Sequence, residues 1–440
     1  MKHYITLFSY LISLLTQAQN NTWRFDLGNG AVAAGYTAVT TTTFYNEQTG
    51  YGFEPGASVR ATNRKGKDLL RNDGIASDLP FLFSVKLPEG NYNVTVILGD
   101  ADSASVTSIR AECRRMMVPQ IATKKGRFAR VSFTVHIRDS LIAGSDKKVR
   151  LKSREINYLH WDNKLTLEFN DAHPRVCAIE ITPAMDVVTV FLAGNSTVVD
   201  QAEEPYAAWG QMIPAFFQPG KVAIANYAES GEALNSFISA RRLEKVLSLM
   251  KPGDYLFIEF GHNDQKQKGE GIGPFTSYKR NLQFFIEEVR KKGGIPVLVT
   301  SMHRRSFDSA GMIVNTLGDY PAAVRQTAAE AKVSLIDLNN MSKVLYEAWG
   351  PENSQRAFVI YPAHTFPGQD KELKDNTHFN PYGAYEIARC ILQGIRDNKL
   401  DLAKYIRKEI PSFNPAFPDD IKQWHWPLSP RMNVVKPDGN

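Results

Sequence analysis

The distribution of apolar and polar positions divides the chain into two unlike halves. Between about residues 20 and 183, short apolar-rich runs at 81–87, 92–98, 131–137, 164–169 and 177–181 are separated by polar turns such as Pro88-Glu89-Gly90-Asn91. Strand-length runs punctuated in this way predict a β-sandwich over 20–183. Between 187 and 398 the pattern changes. Apolar runs at 189–192, 222–225, 255–260, 296–300 and 333–338 alternate with helix-like stretches at 207–217, 240–250, 278–291 and 322–331. Within 281–292, Leu282, Phe285, Ile286 and Val289 fall at helical spacing. This alternation predicts an α/β domain over 187–398, a parallel sheet with helices on both faces.

Three loops that follow predicted strands of the second half carry candidate chemistry. The apolar run 187–192 breaks at Ala193-Gly194-Asn195-Ser196-Thr197. Gly194 allows a sharp turn, which leaves Ser196 at the carboxyl end of a strand, where open α/β sheets bind ligands. Ser196 is therefore a candidate nucleophile. On this stretch alone, a Ser/Thr helix cap is the competing reading. The second loop, NYAESGEALNSF, contains Gly231, whose amide has no β-carbon in front of it. The third, GHNDQK, offers the side-chain amide of Asn263. The Ser196 amide, the Gly231 amide and the Asn263 side chain together make a three-donor oxyanion hole. A polar turn is the plain alternative for His262-Asn263-Asp264. A metal-ligand turn is disfavoured, because the upstream Asp-x-His and bridging carboxylate of such sites are missing from this domain.

The far end of the domain completes a triad. In Asp375-Asn376-Thr377-His378-Phe379-Asn380-Pro381, Asp375 and His378 are three apart, so a single turn can bring both side chains to one side. His378 would take the Ser196 proton and Asp375 would hold the other ring N–H. Asn380 and Pro381 suit the cap and first turn of a helix over 382–395. Activity is expected to fall on acidification, because an imidazolium cannot act as a base. Arg304 and Arg305 follow the run 296–300 and are candidates for gripping substrate carboxylates, with solvated surface arginines as the alternative.

These blocks resemble the SGNH (GDSL-like) hydrolase superfamily and, within it, the rhamnogalacturonan acetylesterase family. The resemblance rests on GNSTVVDQAEEPYAAWGQMIPAFF, NYAESGEALNSF, KPGDYLFIEFGHNDQK, the TSMHRRSFD stretch and DNTHFNPYGA, and covers nearly all of 187–395. The first half is similar to a galactose-binding-like sandwich through FDLGNGAVAAGYTAV and GYGFEP. The resemblance implies a flavodoxin-like αβα catalytic fold, no cofactor and no metal, and hydrolysis of acetyl esters on pectic galacturonate. It carries the nucleophile to Ser196, the oxyanion donors to Ser196, Gly231 and Asn263, and the rest of the triad to Asp375 and His378. One departure stands out: the family's Gly-Asp-Ser is Gly194-Asn195-Ser196 here. Asparagine keeps the size and one acceptor but loses the charge, so reduced or retuned activity is expected.

Whole-chain properties narrow the remaining classes. A length of 440 residues suggests two domains, and 43% hydrophobic with 22% charged residues is ordinary for a globular protein. The net charge of +6 is spread out, with no basic tract dense enough for nucleic acid, yet it suits an anionic substrate. Lys2, the apolar stretch 5–15 and Thr16-Gln17-Ala18 resemble a signal peptide over 1–18, which predicts a secreted or periplasmic protein. No later stretch is long and apolar enough to span a bilayer. Cys113, Cys177 and Cys390 lack metal-site spacing. Buried thiols are expected, with a Cys113–Cys177 bridge as the alternative. Trp23, Tyr36, Tyr45, Tyr51 and Trp161 are either core residues or sugar-stacking residues, and Asp171-x-His173 lacks partner ligands for a metal. The tail 399–440, with Trp424-His425-Trp426, is expected to pack on the surface. The combined expectation is a secreted esterase acting on acetylated pectic polysaccharide or oligosaccharide. A broad acyl esterase and a catalytically weakened carbohydrate-binding protein are the alternatives.

Overall fold

The strand Val188–Gly194 is apolar from Val190 to Ala193 because it feeds two cores at once. Val190 and Leu192 enter one buried cluster, while Phe191 and Ala193 enter another on the opposite face. In the computed structural model, which describes residues 22–64 and 66–438, this strand lies inside a five-stranded parallel sheet. The expected signal segment at 1–18 lies outside the described residues. The strand order is Val222–Asn226, Val188–Gly194, Tyr255–Glu259, Ile295–Val299, Ser334–Ile336, and every pairing is parallel. That is the flavodoxin-like 2-1-3-4-5 order, with its switch point around the first strand. The loops carrying Ser196, Gly231 and Asn263 follow the first three strands in sequence, which are neighbours in the sheet. The topology thus gathers them at one end.

The helices Lys279–Lys291, Tyr320–Ala331 and Pro381–Asp397 flank the sheet near their expected positions. Two other segments depart from expectation. The stretch 207–217 forms only an α-turn, Trp209–Met212, and a 3₁₀ turn, Ile213–Phe216, because Pro214 removes a backbone donor. The stretch 240–250 yields the helix Arg242–Leu249, set off from Leu234–Ser239 by the left-handed Arg241. The helix Leu338–Asn353 and the antiparallel pair Phe358–Tyr361 with Leu373–Phe379 were not legible as such.

The first half folds as two sheets, of seven and five strands, around a core that includes Phe25, Phe83, Val96, Leu167 and Ile179. The five expected strands occur at Phe81–Lys86, Gly90–Asp100, Arg127–Ile137, Lys164–Asn170 and Arg175–Pro183. Additional strands include Ser105–Ala111 and Arg115–Thr123. All three cysteines are buried and free, so there is no Cys113–Cys177 bridge.

Three arginines of this β-rich half enter the catalytic half. Arg115 Nε donates to Asp200 Oδ2 at 2.6 Å, and the Asp200 Oδ1 accepts from Asn226 Nδ2 at 2.8 Å. Arg114 Nη1 lies 2.7 Å from Glu204 Oε2. Arg110 pairs with Glu168 at 2.8 Å and lies 3.7 Å from the centroid of the Trp426 ring. All five charged partners in these contacts and Arg110 itself are buried. The tail is therefore not simply a surface strap. Trp426 Nε1 donates to Glu204 Oε1 at 2.9 Å, Ser429 Oγ to Glu168 Oε2 at 2.6 Å, and Ser429 is buried. Polar backbone in the tail finds partners on both halves because the regular sheets leave Glu168 and Glu204 as acceptors along the joint.

Candidate active site

Ser196 sits on a tight elbow after the Val188–Gly194 strand. A β-carbon added at Gly194 would stand 2.5 Å from Val198 Cγ2 and 3.0 Å from the Glu259 carbonyl oxygen, so glycine is needed for the close approach. The elbow is closed by the Val198 and Val199 amides, which both donate to the Asn195 carbonyl at 3.0 Å. Gln201 Nε2 donates to the Ser196 carbonyl at 2.8 Å.

Ser196 Oγ and His378 Nε2 are 2.8 Å apart, and His378 Nδ1 and Asp375 Oδ2 are also 2.8 Å apart. The single turn expected between Asp375 and His378 is made without a helix. These residues bulge from an antiparallel ladder, in which Phe379 pairs with Phe358 and Lys374 pairs with Ile360. Asp375 Oδ1 closes the bulge by accepting the Thr377 and His378 amides at 2.9 and 3.0 Å. One carboxylate thus shapes the loop with one oxygen and orients the imidazole with the other. Burial pushes the Asp375 carboxyl up, but the bond and charge of His378 and the two amides outweigh it and hold the group below the usual carboxylate range. The Tyr206 ring meets the imidazole edge-on, centroids 5.9 Å apart.

The three donors expected to form the oxyanion hole stand at the same sheet end. Gly231 has φ +80°, a conformation that favours glycine. Among the described residues, neither the Ser196 nor the Gly231 backbone N–H is taken by an acceptor. Asn263 Nδ2 donates one hydrogen to the Glu232 carbonyl at 3.0 Å, which fixes the amide and leaves its second hydrogen for another acceptor. The Gly231 loop is braced from the β-rich half. Arg154 Nη2 contacts Glu229 Oε1 at 2.6 Å, and Lys152 Nζ contacts Glu232 Oε1 at 3.0 Å. Such a constellation can carry nucleophilic acyl transfer.

Residues 192–384 match the GDSL-like Lipase/Acylhydrolase family, and residues 23–142 match the Beta-agarase/YXIM esterase-like, galactose-binding domain-like family. The rhamnogalacturonan acetylesterase RhgT of Bacillus subtilis is 43% identical over 221 residues, spanning 50% of this chain and 94% of that protein. The chain belongs to the GDSL-like lipase/acylhydrolase family. It is a serine esterase with a galactose-binding-like domain ahead of the hydrolase. The uncharacterized esterase YxiM of the same organism is 26% identical over 393 residues, 86% of this chain and 92% of that one. The crystal structure of YxiM covers 87% of this chain and 99% of its own, at 25% identity and a TM-score of 0.45.

Several residues singled out in this GDSL-like chain have other duties. Arg305 is spent on the scaffold: Nε donates to Ser354 Oγ at 2.9 Å, Nη1 to Asn376 Oδ1 at 3.0 Å, and Nη2 to the Pro351 carbonyl. All three of these partners are neutral. Arg304 contacts the His262 carbonyl at 3.4 Å and the Thr316 carbonyl at 3.3 Å. Trp161 is buried beneath Arg138, whose guanidinium lies 4.3 Å from the ring centroid, so it is a joint residue rather than a sugar platform. Trp23 packs edge-on against Tyr92, Tyr51 against Phe25, Tyr36 donates to Glu180 and Tyr45 to Glu47. Asp171 meets His425 at 3.0 Å and His173 meets Asp78 at 2.7 Å, each away from the other. Among the described residues no group of His, Cys, Asp or Glu could hold a metal ion.

Glu259 was missed. It ends the Tyr255–Glu259 strand, fully buried, with Oε2 accepting from Trp209 Nε1 at 2.8 Å and Oε1 3.1 Å from Thr197 Oγ1. Burial raises its pKa to about 7, against the opposing bonds from Trp209 and Thr197. The only signal in sequence is its place at the active end of a core strand. His262 is buried beside the site, and burial, Arg304 and His378 hold its pKa well below the usual value, so it is neutral.

Proposed function

We propose that this chain is a secreted carbohydrate esterase that removes acetyl groups from rhamnogalacturonan. The observation that carries the reading is the unbroken line Ser196 Oγ, His378, Asp375, with both contacts at 2.8 Å. The names of RhgT and of a second Bacillus subtilis relative, the probable rhamnogalacturonan acetylesterase YesY, 34% identical over 223 residues, support the substrate. The apolar stretch at 5–15 supports export.

Ser196 Oγ attacks the acetyl carbonyl carbon as His378 Nε2 takes its proton. The Ser196 and Gly231 amides and Asn263 Nδ2 hold the oxyanion. Asp375 stabilises the imidazolium. As the tetrahedral adduct collapses, His378 returns the proton to the departing sugar oxygen, leaving an acetyl ester on Ser196. A water activated by the same imidazole repeats the sequence, releases acetate and restores the serine. A cavity of about 290 Å³ beside the elbow is bounded by Arg154, Gln201, Glu203, Ser230 and Arg431 among others. Its walls mix these polar groups with the Tyr158 and Tyr206 rings, a lining that suits a sugar.

Acetate release from acetylated rhamnogalacturonan, homogalacturonan and xylan tests the reading, with Ser196→Ala beside the wild type. The expected result is preferred release from rhamnogalacturonan, lost in the variant by about 10⁶-fold. Equal release from xylan would refute the substrate, and activity surviving in Ser196→Ala would refute the mechanism.

A further inference from the structure

The last described residues touch both ends of the catalytic line. Lys436 Nζ lies 3.9 Å from Asp375 Oδ2. Two residues on, Asp438 reaches the oxyanion loop: a β-carbon built on Gly231 would stand 3.0 Å from Asp438 Cβ, and Asp438 Oδ2 is 2.7 Å from Arg154 Nη1. The segment is led there by Glu204, whose amide donates to the Arg431 carbonyl at 3.1 Å. Lys436 and Pro437 also line the cavity beside the elbow. The tail is thus a wall of the active site.

Two more cations stand on other loops beside the oxyanion donor Asn263 and its neighbour His262. Lys266 Nζ is 3.4 Å from Asn263 Oδ1, and Arg304 Nη2 is 3.4 Å from the His262 carbonyl. Oriented to accept, the Gln265 side-chain oxygen receives both Arg304 Nη groups at 2.7 Å. These partners are neutral. Among the described residues, neither Lys266 nor Arg304 has a carboxylate within 4.0 Å. Asp375, the one acid within 4.0 Å of Lys436 among the described residues, is already engaged by His378 and two amides. Of the nearby acids, Glu229, Glu232 and Asp438 are matched by Arg154 and Lys152, while Glu203 lines the cavity with no ion pair among the described residues. Lys266 senses the other two: burial, then the charges of Arg304 and Lys436, lower its pKa. Like charges gathered beside the triad and the oxyanion loop repel, and an anionic ligand relieves that repulsion.

We propose that Lys436, with Lys266 and Arg304, forms a cationic rim that selects acetyl esters borne on sugars with a nearby carboxylate. This rests on the esterase reading above and deepens it. The Lys436 side chain is 51% exposed and makes no hydrogen bond, so its ammonium can swing to a uronate without dismantling the triad.

The test compares kcat/KM for acetylated oligogalacturonate with that for acetylated xylo-oligosaccharide, using the full chain as wild type, Lys436→Gln, Lys436→Arg and the double variant Lys436→Gln, Lys266→Gln. The acidic-to-neutral ratio should fall about fivefold in Lys436→Gln, through KM rather than kcat, and recover in Lys436→Arg. In the wild type the ratio should fall with added salt, and this slope should flatten in the double variant. A ratio indifferent to both the substitutions and salt would overturn the rim while leaving the esterase reading intact. Failure of the wild type to release acetate from either substrate and from acetylated rhamnogalacturonan would instead overturn the esterase reading, and the rim with it. Should a variant not accumulate, inhibition of wild-type xylo-oligosaccharide deacetylation by unacetylated oligogalacturonate decides. Salt-sensitive competition supports the rim, and salt-independent or absent competition refutes it.

Discussion

Asn195 and Glu259 meet at a single hydroxyl: Thr197 Oγ1 stands 2.9 Å from Asn195 Oδ1 and 3.1 Å from Glu259 Oε1. The hydroxyl has one hydrogen and two acceptors beside it. A protonated Glu259 resolves this, donating to Thr197 while Thr197 donates to Asn195. A neutral amide at the elbow is therefore compatible with the buried acid behind it. Asn195→Asp would bring a second carboxyl to the same dry hydroxyl, where like charges oppose joint ionisation. We expect it to destabilise the fold by about 1–3 kcal/mol at pH 8 and by less at pH 5. Urea unfolding at the two pH values measures this. The added change Glu259→Gln should restore most of the loss, and equal stability of Asn195→Asp and wild type at pH 8 would contradict the argument.

Glu259 also makes stability depend on pH. Its folded pKa of about 7 lies above the ordinary glutamate value of 4.5, so the folded state holds the proton more tightly than the unfolded chain. Its contribution is fully present below pH 4.5 and is lost as pH rises through about 7. The Tm of Glu259→Gln relative to wild type should therefore rise between pH 5 and pH 8. A difference that stays flat or falls would show that Glu259 is ionised at little cost in the fold.

The line from Ser196 to Asp375 sets the sizes of two kinetic effects. Asp375→Asn removes the carboxylate that fixes the imidazole tautomer and should lower kcat on the order of 10⁴-fold. Asn263→Ala removes one oxyanion donor and should lower kcat by about 10²–10³-fold with little change in KM. Steady-state kinetics on an aryl acetate read both. A purely KM effect for Asn263→Ala would place its amide outside the transition state.

Glu204 ties the tail to the joint by accepting from Trp426 and pairing with Arg114. Glu204→Ala leaves a buried guanidinium without its counter-charge and should cost about 3–5 kcal/mol. Limited proteolysis should also cut the variant's tail faster than that of wild type. An unchanged unfolding midpoint would mean the pair is dispensable.

What could be read ahead of the structure followed from local pattern. Val190 to Ala193 serve two cores, so their strand is a continuous apolar run, and Gly231 needs a backbone that favours glycine. The three reactive loops could be placed because each ends a core strand. The turn at Asp375 could be expected but not its form, because three-residue spacing suits a helical turn and an Asx-closed bulge alike. Arg110, Arg114 and Arg115 look like a charged turn. Their burial depends on acids about 60–90 residues away, which no local window contains. Lys436 is invisible for the same reason.

Arg114 and Arg115 make the boundary between the two halves a fused seam. A gene trimmed to its hydrolase portion would leave Asp200 and Glu204 without counter-ions a few positions beyond the nucleophile. Shortening the enzyme thus requires rebuilding that loop, and anything that strains the leading portion will be felt at the serine.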